Sequence, residues 1–279
     1  MKLSIITINY NNAAGLKKTL DSVAMQIGTD FEHIIVDGAS TDGSVEIIRQ
    51  YADSQAIRQQ GNKATRQVVW ISEPDIGIYN AMNKGVRLAQ GEYTIMLNSG
   101  DYLVDEHVIE KVIPLLDGTD IIQGNVISII NDVEVVNRGY GKSNISFLDA
   151  MGGKFLHQAS FCRQELFEKY GMFDESYKIN GDTVFYAKCL AFGNASFRYV
   201  DVNVAYYDIE GVSADPNNKW VKIRREEDMR YEQMFSQRMR QLRNEQKKIS
   251  LYNKLHAHRW SWYLTMAIAH ICNWLYGRK

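Results

Sequence analysis

The first hundred residues alternate apolar runs with stripes of apolar residues at helical spacing. Lys2–Asn9 is apolar and β-branched as far as Ile8, the composition of a strand buried on both faces. Leu16, Leu20, Val23 and Ile27 then recur three or four apart, which predicts a helix. His33–Asp37 reads as a second strand, Gly38–Gly43 as a turn, and Val45, Ile48 and Tyr51–Ala52 as the next helix. Gln55–Gln67 is polar and reads as a loop, followed by a third strand at Val68–Ile71. Ile78, Met82 and Val86 mark another helix, and Tyr93–Leu97 a fourth strand. Strands and helices in this rhythm predict an α/β fold with a mostly parallel sheet and helices on both faces.

The rhythm changes after Asp101. Ile121–Ile130 and Val133–Arg138 read as a hairpin around Asn131-Asp132, and Phe155–Cys162 as a strand. Helices are expected near Gln164–Tyr170 and Thr183–Phe192, and two strands near Ser196–Tyr199 and Val202–Tyr207. From Trp220 to Leu255 the sequence is helical and basic, and Trp260–Tyr276 is aromatic and apolar. The expected division is an α/β body over 1–215, in halves 1–101 and 102–215, and a helical extension over 216–279.

Hydrophobic residues are 45% of the 279, enough for a sizeable core and against wholesale disorder. Cys162, Cys189 and Cys272 are too few for a disulfide framework and read as reduced thiols of a cytosolic protein. Charge is unevenly spread. Residues 1–218 hold 18 Lys+Arg against 28 Asp+Glu, whereas 219–279 hold 14 against 5. A basic tail on an acidic body suits an anionic surface, or is a solvated helix. The acidic body argues against a nucleic-acid-binding protein.

Ligands of an open parallel sheet bind at the carboxyl ends of its strands. Here those ends are Asn9-Tyr10-Asn11-Asn12, Asp37 to Gly43, Glu73-Pro74-Asp75 and Asn98-Ser99-Gly100-Asp101, three of them carrying carboxylates. The familiar phosphate loops are absent: Ser44 stands where a P-loop lysine would be, and no Gly-x-Gly-x-x-Gly follows the first strand. A carboxylate-bound Mg²⁺ or Mn²⁺ is the natural substitute for such loops.

These segments together resemble family 2 glycosyltransferases, which have the GT-A fold. The resemblance rests on Leu3 to Asn11, Val36 to Ser44, Glu73 to Gly85 and Leu97 to Asp101. It continues through His157-Gln158, Gly171 to Glu175 and Gly181-Asp182, and covers roughly 1–215. It implies transfer of a sugar, with inversion, from a nucleoside diphosphate donor (UDP by default) to an acceptor hydroxyl. The setting it implies is bacterial capsule, exopolysaccharide or lipopolysaccharide assembly. Carried over by position, Thr7, Asn9, Tyr10, Asp37, Asp75, Asn80, Asn98 and Ser99 would bind the nucleotide sugar. Tyr10 would flank the base, and Asp37 and Asp75 would accept from base or ribose. Asp101 would hold the divalent metal, and Asp182 would be the general base. His157, Gln158, Gly211 and Ser213 would belong to acceptor or donor loops. Asn98 and Gly100 depart from the family pattern, since many relatives have carboxylates there, and Gly181 stands where glutamate is common.

Plainer readings compete. Asp37 suits an Asx-turn, Asp101 and Asp182 could be helix N-caps, and His157 and Gln158 could line the core at a strand start. The rival activities are a nucleotide-sugar-binding protein without turnover and a nucleotidyltransferase. Trp260–Tyr276, with Trp260, Trp262 and Trp274, suits an in-plane helix on the inner face of the plasma membrane, near a lipid-linked acceptor. The alternative is packing on the body or on a second subunit, as in a homodimer.

Overall fold

The computed structural model describes residues 1–28, 30–61, 67–151, 154–208, 220–236 and 247. In chain order, the first elements are β1 (Leu3–Asn9), α1 (Ala13–Ala24), β2 (Phe31–Asp37), α2 (Ser44–Gly61), β3 (Gln67–Ser72), α3 (Ile78–Leu88) and β4 (Tyr93–Met96). They are followed by β5 (Tyr102–Leu103), α4 (Val108–Val112), β6 (Ile121–Ile130), β7 (Val133–Asn137), α5 (Phe147–Met151) and β8 (Ser160–Arg163). The last are α6 (Glu165–Tyr170), α7 (Gly181–Ala187), β9 (Phe197–Tyr207) and a helix over 220–236, α8. The chain divides into two compact units, Met1–Glu227 and Asp228–Lys279.

Nine strands of the first unit form one sheet in the order β3-β2-β1-β4-β8-β6-β9-β5, with β7 paired to β6. β1, β2, β3 and β4 are mutually parallel. β8 runs against both β4 and β6, and β9 runs with β6. It follows that β6 and β9 point the same way as β1 to β4, so β9 ends on the same edge as those strands.

Four expectations change. Gln55–Gln67 is not all loop, because α2 continues to Gly61: polar residues without a proline or glycine do not stop a helix. Phe155–Cys162 is not one strand, since His157–Ala159 is a 3₁₀ turn and β8 starts at Ser160. Ser196–Tyr199 and Val202–Tyr207 are one strand, β9. Its polar middle is accommodated by an irregularity in the β6 pairing, where Asn125 donates to Asp201 at 2.9 Å and to Asn203 at 3.0 Å. Asp182 is not an N-cap: Asn180 precedes α7, and Asp182 lies in its first turn. The hairpin is as read, with Asn131 and Asp132 at φ of 51° and 61°, the conformation of a two-residue turn.

β1 is buried along its whole length, so its residues pack on both faces. On one side Leu16 and Leu20 of α1 and Ile48 of α2 meet Ile35. On the other, α3 approaches so closely that a Cβ on Gly85 would lie 2.3 Å from Cγ2 of Ile6. Cys162 and Cys189 are buried free thiols. Among the described residues no helix is long and apolar enough to cross a membrane.

The Gly85 contact makes a prediction against helix propensity. Gly85→Ala should gain about 1 kcal/mol in intrinsic helix preference. Ile6 is fully buried in a central strand and cannot withdraw, so the net effect should be a loss of about 1–3 kcal/mol. Urea unfolding measures it, and a variant as stable as wild type would show that α3 can shift away from β1.

Candidate active site

The ends of β1 and β2 build a small cradle. Asp37 is fully buried and accepts four hydrogen bonds: from Asn9 Nδ2 at 2.8 Å, Ser40 Oγ at 2.6 Å, Ser40 N at 2.9 Å and Ser72 Oγ at 2.7 Å. Burial raises its pKa, but these donors outweigh that and hold the carboxyl below its ordinary value. A carboxylate offers about four acceptor sites, so a nucleoside N–H or hydroxyl at Asp37 would have to displace a serine. The turn that follows carries Ala39 at φ 60°, a conformation that side chains other than Gly, Asn and Asp seldom adopt. Beside it, Tyr10 is 70% exposed and lies over Gly38, where an added Cβ would come within 3.0 Å of its ring and 3.1 Å of Asp75 Oδ2. Asp75 in turn pairs with Lys84 at 2.7 Å, which also holds Glu73 at 2.8 Å.

Two residues expected at the nucleotide are otherwise occupied. Thr7 is fully buried, with its hydroxyl 2.9 Å from His33 Nε2, and His33 continues to the Tyr51 hydroxyl at 2.9 Å. Burial lowers the His33 pKa to about 3, so this is a neutral core chain, and Thr7 supports the site from beneath. Asn80 uses both ends of its amide within the protein, donating to Glu175 at 3.0 Å and accepting from Ile76 N at 3.4 Å. Ser99 stays at the edge, its carbonyl receiving Asn12 Nδ2 at 3.1 Å.

The end of β4 is pinned by a residue absent from the sequence reading. Thr19 of α1 donates to the Asp101 carbonyl at 2.6 Å and accepts from Gly100 N at 3.0 Å. Asp101 is 4% exposed, and burial pushes its carboxyl up to about 6. The charge of His157, the Asp208 N–H at 2.9 Å and the Gln158 side chain work in the opposite direction. Asp208, at the end of β9, was also missed. Its carboxylate lies over Gly100, where an added Cβ would be 2.5 Å from Asp208 Oδ2. The space a side chain at position 100 would fill is therefore taken by a carboxylate from another strand. Asn98 Oδ1 is buried nearby without a partner. Oxygen donors of this kind suit Mg²⁺ or Mn²⁺, although among the described residues no three His, Cys, Asp or Glu side chains converge as a metal-binding group. The protein thus offers a partial shell that a diphosphate could complete.

Asp182 faces the same edge. Its Oδ2 is 3.2 Å from His157 Nδ1, and its Oδ1 is 3.1 Å from the Tyr79 hydroxyl, whose single proton is directed at the Ile179 carbonyl. His157 Nε2 is 3.2 Å from Asn98 Nδ2, a donor, so the ring proton belongs on Nδ1, directed at Asp182. Burial lowers the His157 pKa, but the bond and charge of Asp182 and the charge of Asp101 raise it above the usual histidine value overall. For Asp182 burial raises the pKa, and His157, the Thr183 N–H and Tyr79 bring it below the ordinary carboxylate value. Gly181 has a steric reason: a Cβ there would be 2.7 Å from the Tyr79 ring. The structure thus gathers Asn98, Asp101, His157, Gln158 and Asp182 at one edge, and Asn9, Tyr10, Asp37 and Asp75 beside it. Gly211 and Ser213 lie outside the described residues. Tyr79 and Asp208 each had a signal, one inside a quoted motif and the other closing an apolar strand.

The sheet, its parallel edge and the carboxylates along it define a GT-A glycosyltransferase fold. The same fold is found in S. aureus TarS 1-349 in complex with UDP-GlcNAc, at TM-score 0.59 and 22% identity, over 74% of this chain and 60% of that one. It is also found in mannosyltransferase PcManGT from Pyrobaculum calidifontis in complex with GDP-Man and Mn²⁺, at TM-score 0.57 and 20% identity, over 86% and 64%. The chain belongs to glycosyl transferase family 2, whose profile matches residues 4–185. A PGL/p-HBAD biosynthesis glycosyltransferase of Mycobacterium bovis is 32% identical over 210 residues, 74% of this chain and 76% of its own length. An uncharacterized glycosyltransferase of Mycobacterium tuberculosis is 31% identical over 198 residues, 66% of each chain.

The raised Asp101 pKa predicts a pH-dependent cost. In the unfolded chain the carboxyl titrates near its ordinary value of 3.8, and in the fold at about 6. The folded protein therefore binds the extra proton between these values, and stability falls as pH rises through that window. Asp101→Asn keeps an acceptor for the Asp208 N–H. Without added metal it should be more stable than wild type at pH 8, by at most about 3 kcal/mol, with the gap closing towards pH 4. Thermal unfolding across that range checks this; a gap independent of pH would contradict it.

Proposed function

We propose that this chain is an inverting transferase acting on a nucleoside diphosphate sugar, with UDP as the preferred nucleoside diphosphate, and on an acceptor hydroxyl. The observation that carries this is the pair of largely buried carboxylates, Asp101 at the end of the β4 loop and Asp182 in the first turn of α7, with His157 3.2 Å from Asp182. In this reading the nucleoside lies on Gly38 between Tyr10 and Asp75. The diphosphate reaches Asp101, where Asp101 and Asp208 would hold Mn²⁺ or Mg²⁺. When bound, the ion supplies charge stabilisation for the departing diphosphate. Asp182, ionised at neutral pH, takes the proton of the acceptor hydroxyl as that oxygen attacks the anomeric carbon opposite the leaving group, which inverts the centre. Base catalysis of this kind contributes about 10²–10⁴-fold. His157 donates to Asp182 and Tyr79 braces it, so the base is fixed before the acceptor arrives.

The acceptor is proposed to be a lipid-linked or polymeric glycan of the bacterial surface. The mycobacterial relative named for PGL/p-HBAD biosynthesis supports a cell-envelope setting. The TarS complex with UDP-GlcNAc supports a UDP donor. Arg238, Arg240, Arg243, Lys248, Lys254 and Arg259, with the segment Trp260–Tyr276, all outside the described residues, are proposed to seat a cytoplasmic enzyme on anionic lipid at the inner membrane face.

Three substitutions separate the roles. Asp182→Asn should lower turnover by about 10²-fold or more and leave UDP affinity unchanged. Asp101→Ala should remove the stimulation by Mn²⁺. Gly38→Leu should fill the cradle and weaken UDP binding at least about tenfold, with a fold unchanged by circular dichroism. Calorimetry with UDP and hydrolysis of a panel of nucleotide sugars, with and without Mn²⁺, provide the readouts. Normal turnover in Asp182→Asn would move the base elsewhere, and undiminished UDP binding in Gly38→Leu would move the nucleoside.

A further inference from the structure

The segment that enters α7 is held from both sides. On the α3 side, Asn83 bonds the Phe173 backbone at 2.9 and 3.0 Å, and Asn80 and Asn83 grip the Glu175 carboxylate at 3.0 and 2.8 Å. Tyr79 donates to the Ile179 carbonyl. On the other side stands Glu227 of α8. It is 4% exposed, and its carboxylate accepts three consecutive backbone N–H groups: Lys178 on Oε1, and Ile179 at 3.0 Å and Asn180 at 2.9 Å on Oε2. Successive N–H groups turned to one point form an anion-binding concavity, and here the anion is a side chain of the same chain. Bonds to a charged acceptor are about twice as strong as neutral ones. Two residues after the last of these N–H groups comes Asp182.

Asp182 lies in the first turn of α7, directly after this clamped segment. We propose that Glu227 is a positioning residue for Asp182. By clamping the N–H groups of 178–180 it fixes the entry to α7, and with it the base. This rests on the reading of Asp182 as the base. It also makes part of the helix after residue 215 a component of the catalytic unit rather than an appendage.

Glu227→Gln tests this, because it keeps shape but sets an NH₂ group against the N–H cluster. The full chain is used, with Mn²⁺ and hydrolysis of UDP-GlcNAc, UDP-glucose, UDP-galactose and GDP-mannose as probes. Amide exchange at 178–180 should accelerate, UDP affinity should hold, and turnover should fall about 10- to 100-fold, as a misplacement near 1 Å does. In the Asp182→Asn background Glu227→Gln should cost no further turnover, because the two act as one unit. Should Glu227→Gln fail to fold, Glu227→Asp, with its charge kept and its reach shortened, takes its place in the same measurements. Faster amide exchange with turnover within about twofold of wild type overturns the positioning role. So does an added loss in the Asp182→Asn background, which would mean that Glu227 acts on something other than the base. Normal turnover in Asp182→Asn alone overturns the base assignment instead, and a wild type that hydrolyses none of the four sugars overturns the transferase reading.

Discussion

Keeping two carboxylates ionised where water is scarce is the constraint around which this edge of the sheet is built. Asp101 and Asp182 are both largely buried, and an unpaired buried charge neutralises itself rather than persist. They meet the constraint in opposite ways. Asp182 has an imidazole, a backbone N–H and a phenol around it, and is held below its ordinary pKa. Asp101 has fewer donors and is pushed up towards 6. The better-supplied carboxylate is suited to stay charged and wait for a proton. The undersupplied one is suited to gain from an external cation.

The same logic explains the polar content of the surrounding strands. Asp37 is satisfied by two serines, an asparagine and a backbone N–H. That arrangement fixes the turn after β2, and with it the approach of Gly38 to Tyr10 and Asp75. Rigidity there comes from serine hydroxyls and a strained Ala39 rather than from apolar packing.

How much of this could be read from the residues depended on range. β1 to β4 declare themselves because each is a short apolar run closed by polar residues, and parallel neighbours put those closures on one edge. The pairing of Asn98, His157 and Asp182 was not readable from spacing, since it needs β8 to sit beside β4 with reversed direction. β9 was split in the sequence because Asp201 interrupts its apolar run; Asn125 across the pair makes that residue acceptable. Asp208 closes an apolar strand as Asp37 and Asp101 do, but its edge is known only from the strand order. The Gly-for-carboxylate change at position 100 read as a loss, and only the fold shows another carboxylate in that space.

The pairing of β5 with β9 joins Tyr102 to Tyr206 and Leu103 to Ala205, and the Asp208 N–H then reaches Asp101. Contacts of such long sequence separation form late, because the loop between them must close first. On the ribosome β1 to β4 emerge well before β9 does, and synthesis adds about 5–20 residues per second. A nascent chain ending before residue 205 can therefore hold a formed β1–β4 sheet while Asp101 still lacks its partner strand. Assembly of this edge is ordered in time, with the Asp37 turn first and the contact between Asp101 and Asp208 last.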